Sequence, residues 1–352
     1  MNFSLYNNFF FQRNKFNDAV LIIAEIGVNH NGQVSLAKDM ILEAKSCGAD
    51  CIKFQTFKAS RVASNSAPKA TYQLGTTDST ESQLAMLHKL ELSEADYREL
   101  AAFCDKHDVV FLSTPYDVED ADFLDEIGVQ AFKVASGQAI ETRFLQHLAR
   151  KGKPILLSTG MCTLAEVDEA VRTIRKEGNY DIVVLQCTTN YPSAIQDSNL
   201  LAMRTMAESL GVLVGYSDHT KSLTAAVAAV ALGARVVERH FTLDKSLPGP
   251  DHSSSSEPHE FRMMVEMIRE TELALGSPRK EPTLVEIENA KGMRRSLTAR
   301  RDIRTGEKLD WDSLTLKRPG TGINGSSVNL VLGRSARRDI PADTILTLDM
   351  IE

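Results

Sequence analysis

Residues 216–251 read YSDHTKSLTAAVAAVALGARVVERHFTLDKSLPGPD. Two apolar runs, VLVGY and ARVVE, each end in a polar turn that carries a histidine, His219 and His240. Between them, KSLTAAVAAVALGA has the composition of a helix. The stretch therefore reads as strand–helix–strand, with one imidazole just past each strand's carboxyl end. In a barrel of parallel strands, those ends face one mouth, where active sites sit. Two imidazoles at one mouth can share a divalent metal ion. Either histidine alone would read as a helix cap or a core residue. Their matched placement points instead to a site.

Working outward, the same alternation fills the chain from residue 20. The strands are expected at AVLIIAEIG, CIKFQT, VVFLSTP, QAFKVAS, PILLST and DIVVLQCT, followed by the two above. Helices are expected over 33–48, 94–107, 117–127, 141–150, 163–176, 199–209 and 257–275, with Ser93 and Thr163 as N-caps. Residues 57–92 break the rhythm: they are polar, with one short helical piece at SQLAMLHKL. Long connections of this kind in compact domains usually carry function. Eight strand–helix units in about 260 residues match a (β/α)₈ barrel. A doubly wound sheet fits less well, because no glycine-rich phosphate fingerprint follows the first strand.

Past the barrel, SPRKEPTLVEIEN reads as a linker. The tail holds an internal repeat, ARRDIRTGEKLDWDSL at 299–314 and ARRDIPADTILTLDMI at 336–351. Two copies predict a small domain with pseudo-symmetry. The expected organisation is an N-terminal extension at 1–19, a barrel at 20–280, a linker at 281–294 and a small β-rich domain at 295–352.

The bulk composition narrows the class. A hydrophobic fraction of 43% and a charged fraction of 25% are those of an ordinary soluble globular protein. A net charge of −7 argues against nucleic-acid binding, so any anionic ligand needs a local basic site. No apolar run is long enough to span a bilayer. The aromatic, Asn-rich start lacks the parts of a signal peptide. Five scattered cysteines fit a reducing cytoplasm and no disulfide framework.

Charges inside apolar strands mark the chemistry. Glu25, Lys53 and Lys133 each stand in such a run, and a buried charge needs a partner. Glu25 paired with a lysine could be a structural bridge only. The functional alternative is that the lysines hold an anionic substrate. Gln55 shares a strand face with Lys53. Hydroxyls recur at strand ends: Ser113, Thr114, Ser136, Ser158, Thr159 and Ser217. Singly these are helix caps; together with two lysines they suit a phosphate and a carboxylate. Asn190 and Tyr191 follow the sixth strand, and His30 in NHNG fits turn duty as well as ligand contact. A metal site, an anion site and one carboxylate suit condensation of a phosphorylated small acid with a carbonyl compound. Two rivals are a lysine Schiff-base aldolase and a non-catalytic sugar- or ice-binding protein.

At the motif level, AEIGVNHNG, IKFQTF, FLSTP, KVASG, LSTGM, CTTNYP, GYSDHT, ERHFTLD, PGPDH and KRPGTGI resemble the bacterial sialic acid synthases. That family includes the legionaminic and pseudaminic acid synthases. The resemblance covers residues 20–352. It implies condensation of phosphoenolpyruvate with an N-acetylmannosamine-like acetamido hexose, giving a nine-carbon sialic-type acid and phosphate. N-acetylneuraminate is the first product implied; a diacetamido-trideoxyhexose giving legionaminic or pseudaminic acid is the alternative. His219 and His240 would hold manganese or magnesium. Lys53, Thr114, Lys133, Ser136, Ser158, Asn190 and Ser217 would hold phosphoenolpyruvate, with Glu25 beside the reacting carbon. Gln55, Gln138, Tyr191 and Asp251 would face the sugar. The tail resembles the family's antifreeze-like (SAF) domain, which implies a swapped homodimer with Arg318 reaching the partner's sugar site. Gln138 stands where many relatives carry an acidic residue, and the 57–92 loop lacks the Asn-bearing element of some N-acetylneuraminate enzymes. Both departures bear on which sugar is used.

Overall fold

The computed structural model describes residues 19–78 and 80–352. Most of the extension expected at 1–19 lies outside them. The chain divides into two compact units between Gly276 and Ser277.

In the first unit the strands are β1 (Leu21–Gly27), β2 (Cys51–Thr56), β3 (Val110–Pro115), β4 (Phe132–Val134), β5 (Ile155–Ser158), β6 (Ile182–Cys187), β7 (Leu213–Asp218) and β8 (Val236–His240). All pair in parallel, in the order β3-β2-β1-β8-β7-β6-β5-β4. β3 and β4 pack side by side and close the cylinder. This is the (β/α)₈ barrel that the alternation predicts.

One feature of the strand sequences makes both the floor and the mouth. Side chains alternate in and out along a strand. The inward set begins apolar: Leu21, Ile23, Cys51, Leu112, Ala131, Leu156, Val183, Leu185 and Val236 form one buried cluster. Two residues on, the same faces turn polar: Glu25, Lys53, Thr114, Lys133, Ser158, Cys187, Ser217 and Glu238. The outward set (Ile22, Ala24, Ile52, Phe54, Phe132, Leu157, Val184) packs under the helices. Gly215 faces the floor, where a Cβ would stand 2.6 Å from both Leu185 Cδ2 and the Val236 carbonyl. Only glycine lets the strands close there.

The outer helices are α1 (Val34–Ser46), α5 (Glu94–Lys106), α6 (Val118–Glu126), α7 (Thr142–Arg150), α8 (Leu164–Lys176), α9 (Leu201–Leu210), α10 (Thr224–Ala231) and α11 (Pro258–Leu275). Ser93 and Thr163 cap α5 and α8 as their sequences predict. β4 is shorter than QAFKVAS suggests, because Ser136–Gln138 turns into a 3₁₀ helix.

The 57–92 connection departs most from expectation. It carries three short helices: α2 (Ala59–Val62), α3 (Thr71–Thr76) and α4 (Gln83–His88). Their stability is tertiary. Arg61 binds Asp117, Asp120 and, at 2.6 Å, Glu119, all in the turn and first residues of α6. The Lys69 ammonium is buried and donates to Thr77 Oγ1, the Asp78 carbonyl and Glu81. Arg61→Ala should lower global stability by no more than about 1 kcal/mol, since the cluster is part-exposed. Limited proteolysis within 57–92 should accelerate severalfold. Unchanged cleavage would show that the clamp does not hold the loop.

In the second unit, the stretch read as a linker contains a helix, α12 (Leu284–Met293), opened by a Thr283–Glu286 capping box. β9 (Ser296–Ala299) and β10 (Leu314–Lys317) pair antiparallel. The sequence repeat is structural. Ile303 and Ile340, equivalent in the two copies, exchange both backbone hydrogen bonds at 2.8 Å. Gly306 N donates to the Ala336 carbonyl at 2.7 Å, and Asp343 N to the Ala299 carbonyl at 2.9 Å. The two turn residues share a left-handed backbone, φ 82° at Gly306 and 65° at Asp343. Glycine and aspartate are both suited to that region.

Candidate active site

Register sets the first layer of the mouth. Glu25 pairs with Lys53 of β2 on one side and with His240 of β8 on the other. Ser217 pairs with Glu238, and Gln55 with Thr114. The pairs climb the barrel in steps: Glu238 is level with Ile23, two residues below Glu25, and Gln55 and Thr114 stand two residues above Lys53 and Leu112.

Charge follows from the layer. Lys53 Nζ lies 2.6 Å from Glu25 Oε2, donates to Thr114 Oγ1 at 3.2 Å and stands 3.8 Å from Glu238. Lys133 Nζ stands 3.4 Å from the other Glu238 oxygen, which also accepts from Ser217 Oγ at 2.9 Å. Both lysines and both carboxylates are buried. Burial lifts the Glu25 carboxyl to about 7, against the pull of Lys53 and with a push from Glu238. Burial also acts on Glu238, but Lys133 and Lys53 outweigh it and hold that carboxyl at about 2. Burial pushes Lys133 down; at Lys53 the two carboxylates overcome it and the net shift is upward. One carboxyl is thus a fixed anion and the other is poised to change protonation near neutrality.

Glu238 was missed by the sequence reading, although the signal was present. It is a charge in an apolar run, two residues before His240 and so on the same face. Glu238→Gln should cost about 3–5 kcal/mol, because the buried Lys133 ammonium loses its counter-charge and Lys53 is left with Glu25 alone. Chemical denaturation would measure this, and millimolar phosphate should restore part of it. The unfolded carboxyl titrates near 4.5, so this stabilisation is complete above that pH and is lost as pH falls toward 2. A change under about 1 kcal/mol would mean that the lysines do not depend on Glu238.

The histidines sit on the β8 side. Their ring centroids are 5.4 Å apart. His219 Nδ1 lies 2.7 Å from the Thr188 carbonyl, to which it donates, leaving Nε2 as the lone-pair nitrogen. Burial depresses His219, but Cys187 and the Thr188 carbonyl outweigh it and the net shift is upward. Cys187 Sγ, 3.8 Å from His219 Nδ1, is a second neighbour the sequence reading passed over. His240 is pushed well down by burial and by His219, which keeps the imidazole neutral. Its Nδ1 is buried without a hydrogen-bond partner, 3.8 Å from Asp251 Oδ2. Burial raises Asp251 to about 6. A neutral imidazole with an orphaned nitrogen, a second imidazole and nearby carboxyls suit a divalent ion. Among the described residues no group of three or more His, Cys, Asp or Glu forms a metal cage. The fit is therefore to an ion that draws its remaining ligands from water or substrate.

The remaining predicted residues divide. Ser158 Oγ is buried and unpartnered at the mouth. Ser136 Oγ accepts from Gly160 N at 2.9 Å. Gln55 Nε2 donates to Glu25 Oε1 at 2.9 Å, Tyr116 Oη to Gln55 Oε1 at 3.2 Å, and Gln138 Nε2 to the Tyr116 carbonyl at 3.0 Å. That chain fixes both amides. Tyr191 covers the histidines, with centroids 4.1 Å from His219 and 5.3 Å from His240. Three expected donors point elsewhere. Ser113 bonds Thr56 and Thr159 bonds the Leu185 carbonyl, both away from the mouth. Asn190 is exposed and donates to the Pro192 carbonyl within its own turn. His30 serves its turn by accepting from Gly32 N. Arg318 belongs to the second unit, where Nε donates to the Met293 carbonyl.

With this geometry in hand, comparison with known proteins gives the class. Residues 40–280 match the NeuB family and residues 294–352 match the SAF domain. The chain belongs to the NeuB family. It is 44% identical over 328 residues to the N,N'-diacetyllegionaminic acid synthase of Campylobacter jejuni, covering 93% of this chain and 98% of that one. It is 43% identical over 335 residues to the synthase of the same name from Legionella pneumophila, covering 94% of each. A crystal structure of N-acetylneuraminic acid synthetase from Leptospira borgpetersenii superposes with a TM-score of 0.69 at 31% identity, over 78% of this chain and 90% of that one. The sialic acid synthase family implied by the motifs is thus the family found, and the chain is an enzyme of the nonulosonic acid synthase class. No helix among the described residues is long and apolar enough to cross a membrane.

Proposed function

We propose that this NeuB-family enzyme condenses phosphoenolpyruvate with a diacetamido-trideoxyhexose, releasing phosphate and a legionaminic-type acid. The convergence of Lys53, Lys133, Glu25, His219 and His240 on one mouth carries the reaction. The two relatives named as N,N'-diacetyllegionaminic acid synthases support this acceptor over N-acetylmannosamine.

Lys53 and Lys133 neutralise the phosphate and carboxylate of phosphoenolpyruvate, with Thr114, Ser136, Ser158 and Ser217 donating around them. Asn190 joins this set once its side chain leaves the Pro192 carbonyl. His219 and His240 would hold a divalent ion, which when bound polarises the acceptor aldehyde. Phosphoenolpyruvate C3 then bonds to the aldehyde carbon. Water adds at C2, and the C2–O bond to phosphate breaks. Glu25 holds or releases the proton at Oε2 once the anionic substrate draws Lys53 Nζ away from that oxygen, because Oε1 already accepts from Gln55. Gln55, Gln138, Tyr191 and Asp251 line the acceptor side. Arg318 would reach the acceptor from a second copy of the chain, in a homodimer with exchanged SAF domains.

A substrate panel tests this. Purified protein with Mn²⁺ receives phosphoenolpyruvate and either N-acetylmannosamine or a 2,4-diacetamido-2,4,6-trideoxyhexose, with phosphate release and product mass recorded. The diacetamido sugar should give the higher kcat/KM. A preference for N-acetylmannosamine would overturn the acceptor. A borohydride-trapped pyruvyl adduct on a lysine would overturn the mechanism.

A further inference from the structure

The 57–92 segment straps the mouth. Arg61 ties one end to the turn after β3. Thr76 Oγ1 donates to the Pro250 carbonyl at 3.2 Å, beside Asp251 in the turn after β8. Between these anchors Tyr72 packs on Tyr191, with ring centroids 5.1 Å apart. We propose that Tyr72 is a specificity-determining residue that packs against the half of the acceptor sugar away from its aldehyde, an inference that rests on the acceptor reading above.

The rings touch in sequence. Tyr191 lies 4.1 Å from His219, and Tyr72 packs on Tyr191 with its ring tilted by 40°. An acceptor with its carbonyl at the histidines that passes along Tyr191 brings its distal carbons to Tyr72. Tyr72 is half-buried, so part of its ring is left to complete a wall. Such a wall favours methyl groups, each worth about 0.8 kcal/mol when buried. A hydroxyl against the ring face loses water without gaining a partner there. A diacetamido-trideoxy sugar brings a second acetyl methyl and a terminal methyl; N-acetylmannosamine brings hydroxyls there. Gln73 Nε2 lies 3.4 Å from Tyr72 Oη, and the phenolic O–H remains available to donate to an acetamido carbonyl. The proximity of the strap to the sugar-side residues is also felt electrostatically, since Asp251 and Tyr116 add to burial in pushing the Tyr72 phenol up.

Steady-state kinetics on wild type, Tyr72→Phe and Tyr72→Ala with both acceptors tests this. Tyr72→Ala should lower kcat/KM for the diacetamido sugar by about 10–100-fold, the range of a few apolar contacts, and lower it clearly less for N-acetylmannosamine. The KM for phosphoenolpyruvate should stay within about twofold, and Tyr72→Phe should keep most of the preference. Equal losses on both acceptors, a parallel rise in the phosphoenolpyruvate KM, or no change at all would each overturn the proposal. A wild-type enzyme inactive with both sugars would overturn the acceptor reading, and this inference with it. An active wild type with an unaltered ratio in Tyr72→Ala would overturn the role of Tyr72 alone.

Discussion

His219→Ala and His240→Ala are each expected to abolish phosphate release, by on the order of 10³-fold or more, because a Lewis acid supplies several kcal/mol to carbonyl attack. Either imidazole alone would leave an ion with one protein nitrogen, and the described residues form no cage of three or more His, Cys, Asp or Glu that would hold it instead. The same variants have a second readout. Mn²⁺ that binds the folded state raises the melting temperature by mass action. That shift should appear in the wild type and vanish in both variants. EDTA should silence the wild type, and added Mn²⁺ should restore it. Wild-type rates in either variant after chelation would exclude the metal role. A lost rate with an intact Mn²⁺ shift would move the ion elsewhere.

Most of the barrel was legible because burial and chemistry share one code. Each strand is a short apolar run, and on its inward face the last one or two residues turn polar. Leu21, Ile23 and Glu25 show the change in a single strand, as do Val236, Glu238 and His240. Strand existence, mouth and lysine placement follow from alternation alone. Glu238 was passed over because it sits in ERH, where neighbouring charges resemble a solvated turn. Arg239 in fact points the other way, paired with Asp218 and donating to Ser256 Oγ at 2.5 Å. The helices of the strap were less legible for a physical reason. α3 buries none of its residues, so no apolar stripe marks it. Its support comes from Lys69, which binds Thr77, Asp78 and Glu81 within the strap, and from Thr76, whose contact with Pro250 is made across the fold. α12 likewise buries nothing and shows only its capping box. Tyr72 had no local signal, because its significance lies in Tyr191, far along the chain.

Glu25→Gln should lower kcat by about 10²–10⁴-fold, the usual loss on removing a positioned proton-transfer group. The amide cannot carry the proton, and its geometry is also wrong. Gln55 Nε2 donates to one oxygen of residue 25, so an amide placing its carbonyl there would aim its NH₂ at the Lys53 ammonium. The wild-type kcat/KM profile should bend near pH 7, where the Glu25 carboxyl titrates, and the variant should lose that bend. Stability should move in the opposite sense. The folded carboxyl titrates near 7 and the unfolded one near 4.5, so between those values the folded state holds the extra proton. Stability then falls as pH rises, by about 1.4 kcal/mol per unit for one proton. Glu25→Gln removes that slope, so the deficit left by an amide facing Lys53 should be smaller at pH 8 than at pH 5, while the variant stays nearly inactive at both. An equal deficit at both pH values would show that Glu25 is chiefly the structural partner of Lys53. A deficit that shrinks with rising pH in an inactive variant would mark the carboxyl as a group kept at a cost to folding for its proton.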